Sequence, residues 1–344
     1  MKQLFNTLYV TTPEAYLRLE GETVCVMVED EKRLQVPLHH LGGFVCFGHV
    51  MMSPALLHRC AEEGRSVVWL TRSGRFGARL EGPVNGNVLL RRAQHKAIDD
   101  REMTLDLARS FVAGKLRNSR QLLRRAARDC KDEGDNAGLT DGADRIGRII
   151  ERLAYADTLD KVRGYEGDGA RIYFQAFNLA IRPQARADFS FDGRSRRPPR
   201  NPMNALLSFL YALLLNDCRS ALESVGLDPQ LGYLHTLRPG RPALALDLME
   251  EFRSTLADRL ALTLVNRGQI GKSDFDFREG GSVLLNDDGR KAVIAAWQER
   301  KQDVLKHPLL EEQVPLGLLP HVQARLLARV LRGDMEGYLP YLHR

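Results

Sequence analysis

Over residues 6–80 the apolar positions come in short runs, at 16–19, 23–28, 34–38 and 44–47, broken by glycines and acidic turns. That pattern predicts β-strands. One helix interrupts them: residues 53–63, SPALLHRCAEE, open on a serine cap with proline at the first helical position and stop before Gly64. SVVWLT and GRFGARL then resume strand patterning, and EGPVNGNVLL predicts a linker over 83–96. From about residue 97 the periodicity is helical. Leu105, Ala108, Phe111, Val112 and Leu116 predict a helix over 97–128, backed by Arg117, Arg120, Arg124, Arg125 and Arg128. Residues 130–144 are polar and glycine-rich and predict a surface loop; Ile146, Ile149, Ile150 and Leu153 predict a helix ending near Gly164. A further helix is expected just after Glu166, with Ala170, Tyr173, Phe174, Phe177 and Ile181 as its packed stripe. RSRRPPRNP, within 186–202, predicts an exposed basic loop. NPMNALLSFLYALLLNDCRSALESVG predicts a buried helix with Asn204 and Ser208 as its polar exceptions. Pro242 suits the first position of a helix running to about residue 264, followed by a hairpin-like insert, helices near 290–301 and 319–331, and a tail. The fold class predicted is α+β: a small β-rich N-terminal domain over 1–82, then a mostly α-helical domain over 97–344.

Composition narrows the function classes. A chain of 344 residues exceeds one comfortable core, and 44% hydrophobic with 27% charged residues is ordinary for a globular protein. The net charge of +6, from 50 Lys and Arg against 44 Asp and Glu, leans towards a polyanionic partner. Five cysteines without C-x-x-C spacing argue for reduced, buried thiols and a cytoplasmic location. The start, MKQLFNTLYV, lacks the continuous apolar core of a signal peptide. The apolar run at 205–215 is interrupted by Ser208 and is too short to span about 30 Å of hydrocarbon, so no membrane segment is expected. The glycine-rich pieces carry neither a phosphate-binding loop nor a dinucleotide fingerprint.

The densest chemistry lies in residues 232–253, GYLHTLRPGRPALALDLMEEFR. At helical spacing Met249, Phe252, Leu256 and Leu260 form an apolar stripe, with Asp247, Glu250, Glu251, Ser254 and Asp258 on the other side. Those acids suit a solvated face, or a capping box formed by Asp247 and Glu250. They also suit a cation site, since His235 with two carboxylates matches Mn²⁺ or Mg²⁺ better than zinc, and Cys218 is not expected to take part. Glu166 is the candidate third ligand; the alternative is a carboxylate favourably placed at a helix N-terminus. Arg194, Arg196, Arg197 and Arg200, together with Arg238 and Arg241 of the basic turn, are candidate phosphate contacts, with a plain linker as the alternative for the first four.

GYEGDGARIYF, RRPPRNPMNALLSFLYALL, GYLH and ALDLMEEFR, in this order, resemble the spacer-acquisition integrases of CRISPR adaptation modules, most closely the subtype I-C branch. The likeness extends to the V-V-W-L strand, the KLRN stretch at 115–118 and LVNRGQIGKSDF. It implies that Glu166, His235 and Glu250 bind the metal with Asp247 as a supporting catalytic carboxylate. It also implies a homodimer joined through residues before Pro83, a complex with the small second protein of the module, and double-stranded DNA substrates, protospacer and repeat. The implied reaction is metal-dependent attack of a 3′-hydroxyl on a phosphodiester. A DNA repair nuclease and a non-catalytic DNA-binding scaffold dimer are the competing readings. The sequence departs from many relatives at Gly169, where glycine could loosen the helix that carries Glu166.

Overall fold

A computed structural model of the chain describes residues 6–82, 88–195 and 197–343. The first part holds two four-stranded sheets. In the first, β1 (Asn6–Val10), β5 (Leu41–Phe47) and β7 (Ser66–Leu70) run parallel, and β8 (Phe76–Arg79) closes the edge antiparallel. In the second, β2 (Tyr16–Glu20), β3 (Thr23–Val28) and β4 (Glu31–Pro37) form an antiparallel meander with β6 (Met51–Met52) beside β2. Helix α1 (Pro54–Glu62) starts on Ser53, whose side chain accepts from Leu56 N–H as expected of a cap. Its Leu56 and Cys60 enter a small core with Leu17, Val24, Phe44 and Val67. Because strand side chains alternate, Val45, Phe47, Val68 and Leu70 point the other way and join the core of the helical part. Phe47 stacks on Phe209 at 5.7 Å.

The segment expected as a linker over 83–96 is helical from Val88 onwards, in α2 (Val88–Asp99); its first five residues lie outside those described. Leu90, Gln94 and Ala97 are its buried stripe, which the turn residues just before it obscured. Helices α3 (Arg101–Asp129), α4 (Glu133–Leu153) and α5 (Leu159–Phe177) follow. Two expectations fail here for one physical reason. Residues 130–144 are no surface loop: Asp132 caps α4, and its glycines form a surface against which neighbouring helices close. A Cβ on Gly142 would lie 2.8 Å from the Ala176 Cβ of α5. Likewise α5 does not start after Glu166 but on Thr158, so it runs through Gly164 and places Glu166 in mid-helix. At Gly169 a Cβ would sit 2.2 Å from Leu116 Cδ2 of α3. The glycine therefore brings α5 onto α3 instead of loosening it. Gly169→Ala is expected to cost about 1–3 kcal/mol by overpacking, read as a lower urea midpoint; an unchanged midpoint would contradict close contact at this point.

Helix α6 (Pro183–Phe189) occupies the start of the expected basic loop, and α7 (Pro202–Val225) forms the centre of the core. By length and composition α7 could cross a membrane, yet most of it is buried inside this fold. The single helix expected over 242–264 is broken. Pro242 is its cap, α8 (Ala243–Met249) is short, a π-helical turn covers Arg253–Asp258, and α9 (Arg259–Asn266) completes it. Hairpin β9 (Phe275–Phe277) with β10 (Val283–Leu285), α10 (Asp287–Gln302), a second hairpin of β11 (Val304–Lys306) with β12 (Gln313–Pro315), and α11 (Leu319–Leu331) lead to the tail.

Candidate active site

The acids of residues 247–258 are not a solvated face: Asp247, Glu250, Glu251 and Asp258 are all at most 3% exposed. Nor do Asp247 and Glu250 form a capping box. Asp247 Oδ2 accepts the backbone N–H of Tyr233 (2.6 Å) and Leu234 (3.0 Å), while Oδ1 accepts that of His235 (3.0 Å). The His235 ring nitrogen Nδ1 lies 2.6 Å from the same Oδ1. With both oxygens already accepting, Nδ1 is the donor, and the lone pair of Nε2 faces the site. Gly232 makes this approach possible, since a Cβ there would meet the backbone of Ala243 and Leu244 and the Asp247 carboxylate within 2.7 Å. Gln94 of α2 holds the loop from below through Asp228 and Leu231, and Arg163 of α5 donates to Leu234 O at 2.9 Å.

Glu250 stands at the end of α8, with its Oε1 3.9 Å from His235 Nε2. Lys115 of α3 bridges the two glutamates: its ammonium pairs with Glu166 Oε1 and lies 2.8 Å from Glu250 Oε2. Arg253 Nε is 3.1 Å from the same Glu250 oxygen. Burial pushes the Glu250 carboxyl up, but the charges of Arg253 and Lys115 outweigh it and hold the group well below the usual carboxylate range. Burial would also lower Lys115, and Glu250 and Glu166 reverse that and keep it charged. Glu166, His235 and Glu250 are thus brought to one place from α5, a loop and the end of α8.

Among the described residues no three His, Cys, Asp or Glu side chains stand ready as a cation cage; Lys115 lies between two of the expected three. The donor set still fits a hard divalent ion. Two carboxylates and one imidazole whose far nitrogen is held by a buried carboxylate are the right chemistry, with Glu250 Oε2 already taken up by Lys115 and Arg253. Lys115 and Arg253 were not singled out as site residues from the sequence. The KLRN stretch pointed to Lys115, but nothing local shows that α3 would pass between two glutamates.

The π-helical turn accounts for one of the two remaining acids and the C-terminal tail for the other. Asp258 accepts from Tyr173 (2.8 Å) and Tyr211 (2.6 Å), tying the turn to α5 and α7. Burial, only partly offset by these bonds, pushes its carboxyl up to about 6. Glu251 faces away from the site towards the C-terminal tail, accepting from the Tyr338 hydroxyl, Tyr341 N (2.6 Å) and Gln323 (3.1 Å). Burial pushes it up to about 8 against the pull of those donors. A folded value above the unfolded one means that the proton stabilises the fold at low pH and that this contribution disappears as pH rises through about 8. Glu251→Gln, which keeps the shape without the charge, is expected to flatten the decline in urea midpoint between pH 5 and 8.5 or so; parallel curves for both proteins would contradict it.

The expected phosphate contacts divide. Arg194 is not exposed: it hydrogen-bonds Asn204 Oδ1 (2.7 Å) and Ser208 Oγ (3.1 Å) and stacks on Tyr211, which Arg253 covers from 4.7 Å. Asn204 and Ser208 are polar exceptions in α7 because they receive this arginine. Arg197, Arg200 and Arg238 are exposed, Arg241 is half-buried near Thr236 O, and Arg196 lies outside the described residues.

The family described as "CRISPR associated protein Cas1" matches residues 8–299. A CRISPR-associated endonuclease Cas1 of Moorella thermoacetica is 55% identical over 344 residues, covering 100% of both chains. One from Rhodospirillum rubrum is 51% identical over 99% of each. Among solved structures, a CAS1 protein from Thermotoga maritima superposes with a TM-score of 0.81 over 95% of this chain and 97% of its own, at 23% identity. A casposase bound to its integration product gives 0.82 over 99% and 95%, at 20% identity, a likeness of fold. Full-length identity of this degree, with the family match over residues 8–299, makes the chain a member of the Cas1 family.

Proposed function

We propose that the protein is an integrase of CRISPR adaptation, inserting short duplex DNA at the CRISPR repeat by attack of a 3′-hydroxyl on a phosphodiester. Water in place of that hydroxyl gives the endonuclease activity. The observation that carries this reading is the meeting of Glu166, His235 and Glu250 beside Lys115, in a chain 55% identical from end to end to a CRISPR-associated endonuclease. Glu166, His235 and Glu250 would hold Mg²⁺ or Mn²⁺, which when bound polarises the phosphoryl oxygen and stabilises the entering or leaving oxyanion. Asp247 keeps the imidazole turned with Nε2 towards the reacting group, and Lys115 and Arg253 keep Glu250 ionised.

Double-stranded DNA, the small second protein of the module and a second copy of the chain are the partners in this reading, and the cytoplasm its location. Solved structures of similar fold include a Cas6-RT-Cas1–Cas2 complex and a Cas1–DNA complex. Self-association is assigned to residues before Pro83, where Tyr16, Leu34 and Met51 leave apolar surface exposed. The test is incubation with a labelled duplex and a plasmid bearing the repeat: joined product supports the integrase, and cutting without joining points to a repair nuclease.

A further inference from the structure

The arginine run of α3 divides in a way its sequence does not show. Arg120 and Arg124 are paired with Asp144 of α4, at 3.8 and 3.6 Å. Arg125 is exposed on another side of the helix, about two turns on from Asn118, whose Oδ1 accepts the His343 N–H at 2.8 Å; it therefore stands on the face of α3 that carries the tail, and its charge acts on Arg259 of α9 together with that of Arg300 of α10. Among the described residues no ion pair forms at Arg125 or Arg259, and the acid that reaches the group is Asp303, 2.7 Å from Arg300. The tail completes the site. Arg259 Nη1 donates to His343 Nε2 at 2.7 Å, so this imidazole is a neutral acceptor that aims the guanidinium. Burial first, then Arg259, Arg300 and Arg125, hold His343 down to about 4, while burial with Arg300 and Arg125 lowers Arg259 to about 10. Next to it a cavity of about 290 Å³ is lined in part by Lys306, His307 and Tyr341.

We propose that Arg125, Arg259 and Arg300, with His343 as the positioning residue, form a phosphate-docking site for the DNA backbone, separate from the carboxylate centre. Three guanidiniums from three helices repel one another, and the one carboxylate that reaches them among the described residues does not balance them. An anion with several acceptor oxygens does, and the arginine fork matches it. Ten residues of α3 separate Arg125 from Lys115, about 15 Å along the helix, so the docked phosphate lies several nucleotides from the reacting one. The site rests on the reading of the protein as a DNA enzyme and adds a second grip on the same substrate.

The test is binding of a short labelled duplex across a salt titration, comparing the native chain with Arg125→Gln, Arg125→Lys and Arg125→Gln/Arg300→Gln. Arg125 is exposed, so its replacement leaves the fold intact by circular dichroism. The expected result is a logarithmic salt slope lower by about 0.9 for Arg125→Gln, about twice that for the double variant, and restored by lysine. DNA bound with an unchanged slope in both glutamine variants would overturn the docking site while leaving the DNA enzyme standing. No salt-dependent binding by the native chain would overturn both. A parallel thermal shift with inorganic phosphate separates the sources: stabilisation by phosphate that needs Arg125, with an unchanged DNA slope, would assign the site to free phosphate and overturn the DNA assignment.

Discussion

Glu166→Gln, His235→Ala and Glu250→Gln are each expected to lower DNA strand joining by at least about a thousandfold, the scale of losing a key stabiliser of transition-state charge. Each change removes one of three donors that α5, the loop and the end of α8 bring to one place. The local consequences differ, which separates a shared site from three unrelated lesions. Glu250→Gln leaves Arg253 and Lys115, both buried by the surrounding helices, without the buried carboxylate they share, Lys115 keeping only Glu166, and stability should fall with activity. Glu166 is less buried, 29% exposed, and among the described residues pairs with Lys115 alone, so Glu166→Gln should lose activity with little change in urea midpoint. His235→Ala should weaken Mn²⁺ binding, followed by the paramagnetic resonance of the free ion, while duplex affinity stays near native. A folded Glu166→Gln or His235→Ala protein joining strands at the native rate under limiting metal would refute the shared site.

The second large effect is expected at Asp247, and it is structural before it is chemical. Asp247→Ala strips the acceptor from three backbone N–H groups, those of Tyr233, Leu234 and His235, in a place where Asp247 itself is fully buried. At about 1–3 kcal/mol for each unsatisfied buried donor, a loss of at least about 3 kcal/mol in stability is expected. Asp247→Asn is milder and more informative. One amide oxygen cannot replace two carboxylate oxygens, and the amide N–H₂ would face either the backbone donors or the imidazole. If it faces His235, Nδ1 must become the acceptor and the proton moves to Nε2, which then cannot bind a metal. Activity should drop about 10–100-fold, as for other partners that orient a metal-binding histidine. Long-range nitrogen–proton spectra of the His235 ring report the tautomer directly; Nδ1–H in both native and variant protein, with native activity, would contradict the role.

The elements legible in the sequence were those whose apolar period and caps agree. Strands β2 to β5, β7 and β8, helix α1 with Ser53 and Pro54, the buried α7 and the β9–β10 hairpin all stand where the pattern puts them. The misreadings cluster where glycine or proline has a tertiary use. In α4 and α5 glycine lowers helix propensity, and only the contacts of Gly142 with Ala176 and of Gly169 with Leu116 show why it is tolerated there. At residues 250–258 a smooth helical period conceals a break, because the turn is held by bonds from Asp258 to Tyr173 and Tyr211, far away in sequence.

Chemistry follows the same division. Residue type and order offer Glu166, His235, Asp247 and Glu250 only as candidates, beside a solvated face, a capping box and a helix-terminal carboxylate; it is the resemblance of the ordered motifs that singles them out. Which of two adjacent glutamates faces the site is a matter of tertiary structure: Glu250 meets Lys115 and Arg253, and Glu251 holds the tail through Tyr338 and Tyr341. The arginines show the same limit. Arg194, Arg120 and Arg125 look alike along the chain, yet one is stacked on Tyr211, one is paired with Asp144, and one stands among other arginines. A charge reveals its use only through its neighbours, and those neighbours come from helices that folding alone brings together.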